Sequence, residues 1–151
     1  MEAVVFVGIP ASGKTSFYRE RFADTHTHIS LDIVGTRERE RRLLADCLAH
    51  GRSFVIDNTN VTAADRRPYI QAAKAAGFDV QGYFFDTELK PAIARNSKRA
   101  DGRKVPVPAL VRSLKRLEPP STAEGFDRLA TVKLTPDNRF TVGSAPDRDR
   151  Q

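Results

Sequence analysis

The sequence predicts an α/β domain in which a parallel β-sheet is sandwiched between helices. Three observations lead there. Apolar runs alternate with helical patterns along the chain, the signature of a parallel sheet covered by helices. The first run, from Ala3 to Val7, is apolar without interruption, as a strand buried on both faces must be. A glycine-rich turn, Gly8 to Thr15, then joins that run directly to a helical pattern.

The elements follow in order. Residues 3–7 form the first strand and 15–23 the first helix. Residues 28–31 form a short second strand that closes on Asp32. Residues 36–50 are helical, with Leu43, Leu44, Ala45 and Leu48 on one side and arginine and glutamate on the other; Gly51 is a natural stop. Residues 53–56 form the third strand. Thr62 caps a helix that runs to about residue 76, and Gly77 ends it. Residues 79–85 form the fourth strand, 88–98 a helix, 99–106 a basic loop, and 107–117 a helix stopped by Pro119-Pro120. Residues 128–134 form the fifth parallel strand, with 140–142 available to pair beside it. Residues 1–144 are expected to make one domain, and the polar segment 145–151 a disordered tail.

Composition narrows the chemistry. With 151 residues, 40% hydrophobic and 29% charged, the chain reads as one globular domain. No apolar run approaches the roughly 20 residues needed to cross a bilayer. The N-terminus lacks the basic region of a secretory signal, so a cytoplasmic, membrane-free location is expected. The single cysteine, Cys47, excludes an internal disulfide framework and falls in a helical pattern beside leucines, as a small core residue would. The net charge is +6, and its distribution is uneven. Between Lys90 and Arg116 stand nine basic residues against Asp101 alone, a surface suited to phosphates.

Gly8-Ile9-Pro10-Ala11-Ser12-Gly13-Lys14-Thr15 satisfies the P-loop pattern G-x-x-x-x-G-K-[ST] at every fixed position. Gly8 and Gly13 are expected to permit dihedrals that side chains forbid, so that backbone N–H groups converge on an anion. The N-terminus of the following helix adds roughly half a positive charge. Lys14 reaches the β- and γ-phosphates, and the Thr15 hydroxyl faces Mg²⁺. ATP and Mg²⁺ are therefore the expected cofactors, and the expected nucleotide contacts are Gly8, Pro10, Ala11, Ser12, Gly13, Lys14, Thr15 and Ser16.

In open parallel sheets ligands sit beyond the carboxyl ends of the strands. Asp57 follows Phe54-Val55-Ile56 as a Walker B acid, the second metal candidate beside Thr15. Asp32 follows His28-Ile29-Ser30-Leu31 and can accept the proton of an attacking hydroxyl; helix capping is the competing role. Asn58, Thr59 and Asn60 are loop formers whose side chains can also meet a substrate or fix Asp57. Arg95 and Arg99 lie four apart on one side of a helix that leads into the loop ending near residue 106. A basic lid over residues 95–106 would neutralise the transferring phosphoryl group and exclude water.

Four of these pieces together resemble the 5′-hydroxyl polynucleotide kinases. The P-loop, Leu31-Asp32-Ile33-Val34-Gly35 and Val55-Ile56-Asp57-Asn58-Thr59-Asn60 look like the kinase domain of the animal DNA-end-repair enzyme. Arg95-Asn96-Ser97-Lys98-Arg99 looks like the lid of the bacteriophage polynucleotide kinase. The segment from Leu117 to Phe126 also resembles the animal domain. The resemblance implies five parallel strands in P-loop kinase topology. It implies Asp32 as general base, Lys14 and Arg99 as catalytic cations, and Asp57, Asn58, Thr59 and Asn60 near the substrate. It also implies Arg95 and Arg99 as lid residues and 5′-hydroxyl ends of DNA or RNA as the acceptor, with no obligate protein partner evident. The chain departs from the phage enzyme three residues after the acid, where Gly35 replaces an arginine, and Arg37 is the nearest substitute. Transfer to a small molecule or nucleoside, and nucleotide binding without transfer, are the two alternative readings on the same scaffold. The chain has no tryptophan, and its basic segment contains no aromatic residue. Nucleic-acid contacts would then fall mainly on phosphates.

Overall fold

The structure, a computed structural model, describes residues 1–144; the expected tail at 145–151 lies outside them. Six strands form one sheet: β1 (Glu2–Val7), β2 (Thr27–Ile29), β3 (Phe54–Ile56), β4 (Asp79–Phe85), β5 (Arg128–Leu134) and β6 (Phe140–Ser144). Their spatial order is β2-β3-β1-β4-β5-β6. The first five are mutually parallel. The sixth runs antiparallel on β5, with Val142 opposite Val132. The five-stranded parallel expectation thus becomes a mixed sheet of six. The short connection between β5 and β6 decides the direction, because a turn of that length can join only antiparallel neighbours. Asn138 takes a left-handed φ of 62° there, and the Thr135 N–H donates to the Arg139 carbonyl at 2.7 Å.

The helices are α1 (Lys14–Arg21), α2 (Leu31–Val34), α3 (Arg37–His50), α4 (Ala63–Ala75), α5 (Leu89–Ser97) and α6 (Val107–Arg116). Their starts follow local chemistry. Thr36 caps α3 by accepting from the Arg39 N–H, and Thr62 with Asp65 forms a reciprocal capping box on α4. Gly51, at φ 64°, closes α3 as expected. One boundary differs. The second strand stops at Ile29, and Asp32 sits inside the single-turn helix α2 rather than at a strand tip.

Alternation along β1 divides the interior into two cores. Val5 and Val7 face one side with Ile29, Phe54, Ile56, Ile70 and Phe78. Val4 and Phe6 face the other with Phe17, Phe22, Val55 and Phe85. The second core is an aromatic cluster, with Phe6 5.0 Å and Phe17 5.4 Å from Phe85 in edge-on contacts. Cys47 is buried. No described helix is long and apolar enough to cross a membrane.

Candidate phosphoryl-transfer site

The P-loop links β1 to α1 at the carboxyl edge of the sheet, where β1 lies between β3 and β4. Gly13, at φ 94°, is the residue before α1, and Ala11 also takes positive φ at 63°. Gly8 has a different reason to be glycine. Its φ is not positive; a Cβ there would stand 2.9 Å from both the Phe85 Cβ and the Ser12 Oγ. Space, not dihedral freedom, fixes that position. The Gly8 N–H donates to the Thr59 carbonyl at 2.9 Å, tying the loop to the segment after β3.

Lys14 is buried and folded back over its own loop. Its Nζ donates to the carbonyls of Ile9 (2.8 Å) and Gly8 (3.1 Å). Burial lowers its pKa to about 8, a shift countered by Asp57 and Asp32 and reinforced by Arg99. The Thr15 hydroxyl donates to Asp57 Oδ2 at 2.9 Å, which places the two expected metal-binding side chains together. The same oxygen meets His28 Nε2 at 2.7 Å, and the His28 ring stacks on Tyr18 at 3.9 Å. Sequence reasoning left His28 unassigned. The available signal was a polar residue in the middle of a strand whose neighbour, Ile29, is core.

Asp32 lines the cleft from the turn of α2. Neither capping role falls to it: Ser30 holds the cap position of α2, and Thr36 caps α3. Among the described residues no hydrogen bond or ion pair engages its carboxyl group, yet its charge is felt by both Lys14 and Arg99. Asn58 and Thr59 also line the cleft. The amide of Asn58 is committed at both ends: Oδ1 accepts from the Leu31 N–H and Nδ2 donates to Glu40, each at 2.9 Å. Asn60 was expected at the substrate and is placed elsewhere. It is buried at φ 47° outside the cleft lining, and its Nδ2 donates to the Phe6 carbonyl at 2.9 Å. The side chain stabilises an unusual turn beneath the site instead of facing it.

The opposite wall comes from α5 and the loop after it. Arg95 donates to the Ala11 carbonyl at 3.0 Å, fastening α5 to the P-loop. Arg99 projects into the same cleft with its NH1 buried and without a hydrogen-bond partner. A buried guanidinium nitrogen of this kind fits an anion bound beside it. Asn96 clasps Val105 through both its amide atoms, at 2.6 and 2.9 Å, so the loop of residues 97–104 is held at its two ends. Arg103 and Lys104 of that loop also reach the cleft.

The resulting cleft has a volume of about 910 Å³. It gathers the cations Lys14, Arg19, Arg37, Arg95, Arg99, Arg103 and Lys104 around the acids Asp32 and Asp57. The cradle, the buried lysine and the unpaired Arg99 nitrogen fit a polyphosphate, and Thr15 with Asp57 offers oxygen ligands suited to Mg²⁺.

The chain is similar to several known proteins. The chain is 26% identical to a bifunctional polynucleotide phosphatase/kinase of Schizosaccharomyces pombe (strain 972 / ATCC 24843), over 87% of its own length and 33% of that protein. It is 29% identical to a protein of Acanthamoeba polyphaga mimivirus that carries the same name provisionally, again over 87% of this chain and 33% of the relative. It thus spans about a third of the length of these relatives. Among solved structures, a gluconokinase from Sinorhizobium meliloti 1021 superposes with a TM-score of 0.61 at 19% identity, covering 87% of this chain and 82% of that one; it shares the fold. The pattern that defines the AAA domain family matches residues 4–120, and the chain belongs to that family.

Proposed function

We propose that the protein is an ATP-dependent phosphotransferase that phosphorylates the 5′-hydroxyl end of DNA or RNA. The observation that carries this reading is the uncommitted Asp32 carboxyl group, which shares one cleft with the buried Lys14 and the unpaired Arg99 nitrogen. The names of the two polynucleotide phosphatase/kinases support the choice of acceptor.

Each residue then has a task. The P-loop amides and Lys14 hold the β- and γ-phosphates. Thr15 and Asp57 would hold Mg²⁺, which when bound neutralises charge between those phosphates. Asp32 accepts the proton of the attacking hydroxyl and aims its oxygen at the γ-phosphorus. Arg99, with Arg95 behind it, faces the charge that spreads over the transferring group. The loop of residues 97–104 covers the reaction from water. The general-base reading of Asp32 requires an acceptor hydroxyl, which favours transfer over nucleotide binding alone.

The direct test offers 5′-hydroxyl and 5′-phosphate oligonucleotides with ATP labelled at the γ-position. Label is expected only on the 5′-hydroxyl strand. An ATP-competent preparation that labels neither would refute the acceptor assignment, and label on gluconate or a nucleoside instead would favour a small-molecule kinase.

Lys14 makes nucleotide binding pH-dependent. Its pKa in the free protein lies near 8, and adjacent phosphates stabilise the charged form and raise it. ATP affinity is therefore expected to be full below about pH 8. Above that value it should fall by up to about tenfold per pH unit until the pKa of the complex is reached. Titration calorimetry in buffers of different ionisation enthalpy should show proton uptake on binding near pH 8.5; none would contradict the assignment. Oligonucleotide affinity should also fall with salt, with log K against log[salt] sloping about −0.7 for each phosphate contact to a single strand. Fluorescence anisotropy between 50 and 200 mM salt measures it, and a flat response would remove the phosphate-contact argument.

A further inference from the structure

We propose that Glu40 is a positioning residue for the turn that carries Asp32, and that it acts through the side-chain amide of Asn58. The inference rests on the reading of Asp32 as proton acceptor. Asn58 stands between two groups that each accept only one end of its amide. The Leu31 N–H can only donate, so Oδ1 must face it. On the other side Nδ2 donates to Glu40 Oε2. The second Glu40 oxygen accepts from the Tyr69 hydroxyl at 2.6 Å and from Arg37 at 3.2 Å. Glu40 is almost fully buried, and none of the phosphate chemistry uses it.

Leu31 opens α2 and precedes Asp32. A helix of four residues has little stability of its own, because one turn closes too few hydrogen bonds to offset its ordering. Its backbone bonds run from Ile33 and Val34 to Ser30 and from Gly35 to Leu31. The bond from Leu31 to Asn58 ties this turn to the segment after β3, which also carries Asp57. The carboxylate of Glu40 therefore sets which way Asn58 points, and Asn58 sets where the acid stands relative to the P-loop.

Donor and acceptor logic supplies the test. In Glu40→Gln, if the new amide oxygen stays with Tyr69 and Arg37, its nitrogen confronts Asn58 Nδ2. Asn58 relieves the conflict by turning over, which sets Nδ2 against the Leu31 N–H and breaks the tether. Turnover number on a 5′-hydroxyl oligonucleotide is expected to fall at least about tenfold, with KM for ATP within about twofold of wild type. Hydrogen exchange across residues 30–35 should accelerate by a similar factor. The double variant E40Q/N58D places an acceptor opposite each donor again, so turnover and slow exchange should both recover. Tyr69→Phe removes one bond to Glu40, together with the acceptor that Tyr69 offers to Arg37 at 3.2 Å and to Asn58 Nδ2 at 3.4 Å, but the shorter bond from Nδ2 to the Glu40 carboxylate remains; it should lower the melting temperature while keeping turnover and slow exchange. The proposal is overturned if E40Q keeps normal turnover and exchange, if E40Q/N58D recovers neither, or if Y69F loses turnover in proportion to its stability. Should the wild-type protein transfer nothing to oligonucleotides, the function proposed above falls on that result, and the exchange measurements alone decide the tether: unchanged exchange in E40Q overturns it.

Discussion

Replacing Asp32 by alanine is expected to slow phosphoryl transfer by about 10²–10⁴-fold, the range supplied by a positioned general base, without weakening ATP binding. The two halves of this expectation have separate causes. The carboxyl group has no hydrogen bond or ion pair among the described residues, so its removal leaves no broken network and no buried group unsatisfied. Its negative charge stabilises the charged forms of Lys14 and Arg99 in the free protein. Bound phosphates then take over that role, and they bind without a nearby carboxylate to repel them. Nucleotide affinity should be equal or slightly higher in the variant. Single-turnover transfer to a 5′-hydroxyl oligonucleotide, measured beside calorimetric ATP binding on the same preparation, separates the two quantities. Wild-type turnover in D32A would remove the catalytic role of this residue. Lost ATP binding would show instead that Asp32 supports the nucleotide half of the site.

The largest stability effect is expected at Arg66, which lies within α4 and is fully buried. Its guanidinium donates to both oxygens of Glu124, at 2.7 and 3.0 Å, and to the carbonyls of Asn60 and Glu118. The geometry is a two-pronged fork on a carboxylate, with the remaining donors on backbone. Arg66→Ala removes every one of these bonds and leaves Glu124 without its countercharge. Breaking one side of such a buried pair costs about 3–5 kcal/mol, a large part of the 5–15 kcal/mol typical of a domain. With roughly 2–4 °C lost per kcal/mol, the melting temperature should drop by about 10 °C. Thermal unfolding followed by circular dichroism checks it, and a change below about 1 kcal/mol would show that Arg66 does not hold the fold in this way. The effect should extend to the site. Arg66 grips the carbonyl of Asn60, whose amide holds the Phe6 carbonyl under the P-loop, and Asp57 lies three residues earlier in the same segment. Without that grip the segment that carries Asp57 loses its support from below.

Much of this protein was legible in the sequence because it depends on contiguous residues. The P-loop is a property of eight successive positions. The cap at Thr62 depends on a side chain that reaches backbone within the same turn, and the uninterrupted run of β1 reports burial directly. These features fix the order of the elements, and the preference of parallel sheets for ligands at their carboxyl ends puts Lys14, Thr15, Asp32 and Asp57 on one edge. Glycine was also readable, though its cause was not. Gly13 requires a left-handed dihedral, whereas Gly8 requires room beside Phe85, a residue 77 positions away.

The tertiary structure alone decided how the polar side chains are shared. Asp57 could have met metal, substrate or solvent; the register of β2 on β3 brings His28 to it, and the first turn of α1 brings Thr15. Asn58, Thr59 and Asn60 are adjacent and chemically alike, yet Asn58 is held by α3, Thr59 gives its carbonyl to Gly8, and Asn60 turns beneath β1. Arg66 and Glu124 are 58 residues apart, and no local pattern in the sequence pairs them. Hydrogen bonds are short-ranged and directional, so which donor meets which acceptor depends on ångström-scale packing of distant elements. Backbone preference and hydrophobic period are averaged over many residues, and for that reason they survive in the one-dimensional chain.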